Sequence, residues 1–430
     1  MKRLIKSLIL FIMLLVAPVN KTYCQNKVSY DGNRLTLTDF LTSVFAGNLG
    51  LIAEQFNVNI AEAELQASKA LPDPEVSVSY SNNEDRTLQM GQSVESGISY
   101  PISFGNRRRA GINLARSQYE LSELMFDAYL QNLRTEASIA YFTALKNQRI
   151  YLLQREIREQ LSQLARADSL RVINGEATAI DALQSSLEAR SQQTRVDQSL
   201  ADMQNALLQM RVFRGNILSG KPEIPSDSFP LSQRNFVLNS LINIALNHRS
   251  ALLAAMKNKE VSERYLKLIK ADRAMEVNLE TGYSYNTIVR NEIAPAPAFS
   301  SVSAGITVPL KFSGINKGSL HAADLAVRQS IKIREETELQ IRAEVIQAYN
   351  AFIAQSRKIE SFRLGLVRDA EEILRGRIYS YRHGESGLVD VLNAQRTYSE
   401  LQLDYINAMY DYTASLIGLE KSAGIWDLTY

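Results

Sequence analysis

The 430-residue sequence has one cysteine, Cys24, and three histidines, His248, His321 and His383. One cysteine closes no internal disulfide, and histidines so scattered supply no zinc ligand set by spacing. No metal or other cofactor is therefore expected. No stretch beyond the N-terminus is long and apolar enough for a transmembrane helix, and the composition, 45% hydrophobic, is compatible with water. Any passage through a membrane must then be made by strands. Only 10 prolines occur, and no low-complexity linker divides the chain, so it does not read as a string of globular domains. Nucleophile elbow, phosphate-binding glycine loop and metal motif are all missing. The chain is read as not an enzyme.

What is present begins with Lys2, Arg3 and Lys6 ahead of an apolar run from Leu8 to Val16, the layout of a secretory signal peptide covering residues 1–24. Thr22 and Cys24 fit the small positions before a cleavage site, leaving Gln25 to begin the mature chain. Lipid attachment at Cys24 is the alternative, although Lys21, Thr22 and Tyr23 lack the small and aliphatic residues of a bacterial lipobox. Removing 1–24 takes away four basic residues and no acid, so the formal net charge moves from +2 to −2. That balance carries no nucleic-acid signature.

The sequence repeats itself. Pro101-Ile102-Ser103-Phe104-Gly105 returns about 208 positions later as Pro309-Leu310-Lys311-Phe312-Ser313-Gly314. The same offset pairs Glu136 with Glu344 and Ala140-Tyr141 with Ala348-Tyr349, and a one-residue shift pairs Gly175 with Gly384 and Asp181 with Asp390. The boundary falls where Gly220, Pro222, Pro225 and Pro230 cluster. This gives a first repeat over 25–215, a linker over 216–234, a second repeat over 235–423 and a tail over 424–430.

Each repeat opens with a helical stretch, Thr38 to Ala70 and Asn235 to Ala271, rich in Ala, Leu, Glu and Lys. Two short strands follow. Val76, Val78 and Tyr80 alternate with serines, as Ile98 and Tyr100 do with Gly97 and Ser99. In the second repeat Val277, Leu279, Tyr283 and Tyr285, and then Val302, Ile306 and Val308, alternate with polar residues. One apolar and one small polar face suit a barrel wall between lipid and water. Long helical patterns come next, about Arg107 to Val172 and Lys317 to Tyr381, each ended by Asn174-Gly175 or His383-Gly384 and a shorter helix. At 1.5 Å per residue the long helices reach roughly 100 Å and the others about 50 Å, an elongated helical wall. Four strands cannot close a membrane barrel, since the smallest single chains use about eight. Three copies would supply about twelve.

These features resemble the TolC family of outer-membrane efflux proteins over essentially the whole mature chain. The resemblance rests on the doubled helix-strand-strand-helix-helix plan, Leu71-Pro72-Asp73-Pro74 before the first strand, and the two Pro-x-x-Phe motifs. Its strongest part is Gly384-Glu-Ser-Gly-Leu-Val-Asp-Val-Leu-Asn-Ala-Gln395. It implies a mainly α protomer with a small β part: a duplicated long-helix coiled-coil barrel plus four β-strands completing a twelve-strand trimeric transmembrane β-barrel. It further implies a homotrimer in the outer membrane of a Gram-negative bacterium, in contact with outer-membrane lipid and extending into the periplasm. The partners it implies are a periplasmic membrane-fusion adaptor and an inner-membrane pump of RND or ABC type, which energises efflux or type I secretion through the passive duct.

Residue by residue, the resemblance places Asp390 on an acidic position that narrows the periplasmic entrance, and Asn393 where the family has a second acid. It matches Asp181 and Tyr381 to a network joining inner and outer helices. Ser386 stands at that network's basic position, with Arg382 as a replacement from a neighbouring turn. Each position also has a plain reading. Asp181 and Asp390 sit where carboxylates stabilise a helix N-terminus, and Gly175 and Gly384 permit left-handed backbone at a turn. Tyr80, Tyr100, Tyr283 and Tyr285 are strand formers or a membrane-interface girdle, which would make Asn82 to Arg86 and Asn291 to Pro297 external loops. Arg107-Arg108-Arg109 has no aromatic platform for nucleic acid and is placed just inside the membrane, at polar headgroups or the tunnel mouth. Methionines are dispersed, which favours no copper or silver path. A periplasmic coiled-coil adaptor or structural helical protein is the other class, but it gives no reason for two strand hairpins at equivalent points of a duplicated chain.

Overall fold

The computed structural model describes residues 33–82, 86–216, 223–232, 234–274, 276–310 and 315–426. The leader 1–24 with Cys24, the Lys311 to Gly314 end of the second repeat motif, and parts of the 82–86 loop, the linker and the tail lie outside the described residues.

Each repeat begins with two helices where the composition predicts one. In the first, α1 (Leu37–Gly47) and α2 (Leu49–Lys69) meet at Asn48, whose side chain accepts from the Leu51 amide at 2.9 Å and donates to the Phe213 carbonyl, also at 2.9 Å. An asparagine that satisfies one orphan amide and bridges to another helix ends one helix and starts the next. The second repeat breaks at the matching place, between α5 (Leu238–His248) and α6 (Ser250–Ala271).

The strands are β2 (Glu75–Asn82) and β3 (Gln92–Ser103) in the first repeat, β5 (Glu276–Asn286) and β6 (Phe299–Thr307) in the second. They form one antiparallel sheet in the order β2-β3-β5-β6 with two free edges. Register sorts the side chains. Val78, Ser96, Tyr283 and Val302 form one cross-strand row, and Ser77, Gly97, Gly282 and Ser303 the next, so apolar and small polar residues fall on opposite faces. Both faces of the sheet are largely exposed in the single protomer.

From the sheet, α3 (Arg107–Ile173) runs unbroken for 67 residues, about 100 Å. It turns at Asn174-Gly175 into α4 (Ala179–Phe213). Its counterpart departs from the predicted single helix: α7 (Ile315–Ser361) gives way to a π-helical segment at Phe362–Leu366 before α8 (Val367–Arg382). Gly365 lies in that segment at φ 114°, ψ 12°, a conformation open to glycine and unlike helix, and this is the cause of the break. The final helix, α9 (Leu388–Ala423), follows the second tip.

Midway along the helices, β1 (Asn33–Leu35) pairs in parallel with β4 (Glu223–Pro225), a small sheet that the sequence pattern does not predict. It is fastened to α3 by Tyr141, which is wholly buried with its hydroxyl 2.8 Å from both the Leu35 carbonyl and an Asp227 carboxylate oxygen. Burial, then the bond to Asp227, pushes the Tyr141 phenol well above its ordinary pKa. Phe40, Phe142 and Phe229 complete the core there, and Phe352 and Tyr412 centre a second core in the other repeat. A third, smaller core at the far end joins α3 to α8 and α9 through Leu153, Ile157, Leu161, Tyr381, Leu388, Val391 and Leu392.

Candidate functional site at the helical tips

The two tips share one backbone turn. Gly175 and Gly384 both have φ 76°. The following amides close the same loop, from Glu176 to the Arg171 carbonyl at 2.8 Å and from Glu385 to the Ser380 carbonyl at 2.9 Å. Left-handed glycine after a helix, with a six-residue bond across it, is the Schellman arrangement.

Side chains then separate the tips. At the first, Asp181 completes a capping box: its carboxylate accepts from the Thr178 amide at 3.2 Å and from the Thr178 hydroxyl at 2.7 Å, while its own amide donates to that hydroxyl. At the second, α9 starts after Gly387 with no side-chain cap. Asp390 and Asn393 lie one turn apart on the exposed face of α9, and the opposite face buries Leu388, Val391 and Leu392.

Tyr381 is buried, and its hydroxyl donates to Asp168 at 2.8 Å rather than to Asp181. Asp168 projects from α3 with no exposed surface, and its second carboxylate oxygen has no hydrogen-bond partner among the described residues. The Arg171 guanidinium lies 4.5 Å from the centre of the Tyr381 ring, and its Nε is 3.7 Å from Glu176. Burial and the bond to Asp168 raise the Tyr381 phenol to about 12, the charges of Asp168 and Asp181 add to this, and Arg171 opposes it. The cation at this junction is thus Arg171 from α3. Arg382 is exposed, and the Ser386 hydroxyl is buried without a hydrogen-bond partner among the described residues.

Asp168 and Arg171 are the two residues of this junction that sequence reasoning misses. Their signal was present: Leu153, Ile157, Leu161 and Asp168 recur at helical spacing, so a carboxylate falls on an otherwise apolar stripe. Such a residue needs a partner from another element.

At the other end of the molecule, the predicted tyrosines share one face of the sheet. Tyr80 and Tyr285 stand in one row, Tyr283 in the next, and Tyr100 opposite Leu279 lower down. Six residues of β3 separate the Val94 and Tyr100 rows, roughly 20 Å. All four charged residues of the sheet, Glu75, Glu95, Glu276 and Glu280, are glutamates on the other face.

A family model described as outer membrane efflux protein matches residues 41–213 and 241–425. The chain is 19% identical over 378 residues to the cobalt-zinc-cadmium resistance protein CzcC of Cupriavidus metallidurans, covering 87% of this chain and 86% of that one. It is 21% identical over 384 residues to the outer membrane protein TolC of Vibrio cholerae, with the same coverage of 87% and 86%. Among solved structures, the CmeC outer membrane channel of Campylobacter jejuni superposes with a TM-score of 0.76 at 15% identity, covering 90% of this chain and 85% of that one.

Proposed function

The chain belongs to the outer membrane efflux protein family and lies in the outer membrane with a periplasmic extension, and from that premise we propose that three copies form one duct of a tripartite efflux or type I secretion system. The observation that carries this reading is the sheet: four strands, two free edges, one apolar and one polar face, joined directly to a helix of about 100 Å. Free edges in lipid leave backbone groups unpaired, and three copies edge to edge would pair them in about twelve strands. Exposed apolar residues along the helices support the same assembly, among them Ile173 at 80% and Ile180 at 75%.

In this duct the tyrosines form interface girdles and the glutamate face lines the pore. The tips form the periplasmic entrance. Asp390, repeated in three copies, narrows it with carboxylates that attract cations, and Asn393 leaves a single acidic ring. Tyr381 and Asp168 fasten the second tip to the first. A membrane-fusion adaptor docks from the periplasm, and an RND or ABC pump drives the cargo. Likeness to a cobalt-zinc-cadmium resistance protein makes divalent metal ions the first cargo to test.

The test is the mass and location of the detergent-solubilised chain from native membranes, by light scattering corrected for detergent. A trimer in the outer-membrane fraction is expected, and a soluble monomer or dimer would sink the reading. In planar bilayers, Asp390→Asn should weaken block by divalent cations, and unchanged block would remove Asp390 from the gate.

A further inference from the structure

Directly below the sheet, between the start of α3 and the end of α6, lies an open cavity of about 360 Å³. Arg109, Arg264, Lys267 and Lys270 line it together with Asn106 and Asn113, and no acidic residue does. Arg264 has a partner in Glu260 at 3.1 Å. Arg109, Lys267 and Lys270 have no ion pair among the described residues, and all three are exposed.

The arginines at this end of α3 run against the helix field. Basic residues in a first turn meet the positive pole of the macrodipole, and here neither an acid in that turn nor a side-chain cap offsets it. Two of the three are relieved within the chain: Arg107 is 2.7 Å from Asp272 and 3.2 Å from Glu276, and Arg108 donates to the Lys69 carbonyl. Arg109 is left beside three further cations around the cavity, of which only Arg264 has a counter-charge among the described residues. Its direction follows from the same geometry. Arg107 reaches Glu276, on the polar face of the sheet, and Arg109 is about 200° further round the helix, away from that face.

The height is equally defined. Ser103 ends β3 and Glu276 begins β5, so the cavity opens at the foot of the sheet, a few residues below Tyr100 on its apolar face. We infer that this cavity binds the phosphate of an anionic glycerophospholipid in the periplasmic leaflet, with Arg109, Lys267 and Lys270 as the charges that hold it. The lipid's acyl chains then run up the apolar face of the sheet, and the bound headgroup sets how deep the duct sits. Juxtamembrane basic residues attract anionic lipid at about fivefold in affinity per charge.

The proposal rests on the sheet spanning the membrane, and its test separates the two. The full chain in mild detergent is titrated with dioctanoyl-phosphatidylglycerol, with the zwitterionic dioctanoyl-phosphatidylcholine, and with inorganic phosphate alone, and retained ligand is counted by native mass spectrometry. Phosphatidylglycerol should be retained at least about tenfold more tightly than phosphatidylcholine. Lys267→Gln with Lys270→Gln should weaken it by about twenty-fivefold, Arg109→Gln by about fivefold, and Lys332→Gln, an exposed lysine elsewhere, should leave it unchanged. Arg109→Gln alters the other helix, so the test survives if the double variant misassembles.

Equal retention of the two lipids, or equal retention by native chain and variants, overturns the site. Inorganic phosphate binding as tightly as phosphatidylglycerol overturns the lipid assignment in favour of a free anion. A native chain that conducts in bilayers without lipid preference fails this proposal alone, whereas one absent from the outer-membrane fraction fails the barrel reading.

Discussion

The hairpin α3–α4 and the hairpin α8–α9 descend from one duplicated plan and end in turns with the same glycine geometry, yet they are secured differently. The first is continuous from sheet to tip and closed by the Thr178 and Asp181 capping box. The second is cut off from α7 at Gly365, starts its return helix without a side-chain cap, and leaves Asp390 facing solvent. Duplication kept the backbone turn, which glycine adopts without a steric cost. The side chains diverged, so one hairpin is a strut and the other is joined to it by few bonds. Among the described residues, Tyr381 to Asp168 is the buried one.

The largest expected effect comes from breaking that bond. Tyr381→Phe keeps the ring against Arg171 and removes the hydroxyl, leaving a buried carboxylate without its donor at a local cost of about 1–3 kcal/mol. Amide exchange over residues 379–390 should accelerate while residues 170–182 keep their protection; equal rates in both tips would contradict the asymmetry. Alkali should imitate the substitution. The folded phenol has a pKa of about 12, above its ordinary value of 10.0, so the fold holds its proton more tightly than the unfolded chain does. This contribution is complete below about pH 10 and lost as pH rises toward about 12. Tip exchange should accelerate across that window in the native chain and not in Tyr381→Phe.

Gly365→Ala comes next. A Cβ there meets Arg368 Nη2 at 2.8 Å and the backbone is left-handed, a strain of about 1–2 kcal/mol. The matching change in the strut, Gly111→Ala, meets no atom within 4 Å inside α3 and should stabilise by about 0.5–1 kcal/mol. Opposite shifts in melting temperature would confirm the contrast between the two helices, and shifts of one sign would refute it. Thr178→Ala removes the cap of the first tip and should cost about 1 kcal/mol in thermal unfolding. Asp390→Asn is the smallest in stability, about 0.3–1 kcal/mol from the helix dipole. A loss as large as that from Thr178→Ala would mean that Asp390 serves mainly as a cap.

The strand alternation at Val76 to Tyr80 and Val302 to Val308 was legible because a period of two survives wherever a sheet has unlike faces. The continuity of α3 was legible because 67 residues lack proline and carry only Gly111 among glycines. The break at Gly365 was not, since a single glycine inside a helical pattern is ordinarily tolerated. The break at Asn48 had a local signal in Gly47 and Gly50 on either side of it, whereas nothing as strong marks Arg249, between His248 and Ser250. At the tips, the turns could be read from Asn174-Gly175 and His383-Gly384, and the capping role of Asp181 from its place after Thr178. The partner of Tyr381 could not, because Asp168 lies more than two hundred residues away and only packing selects it.

By itself, then, the sequence determined the duplication, the helical extent, the two-faced strands and the turn positions, all of which follow from local periodicity and backbone preference. Tertiary structure alone decided the order β2-β3-β5-β6, the clamp of Tyr141 on the midway sheet, and the joining of Asp168, Arg171 and Tyr381. These are contacts between distant segments, and their energy depends on burial and on which opposing group is near enough to satisfy a buried donor or charge. No local pattern encodes that distance.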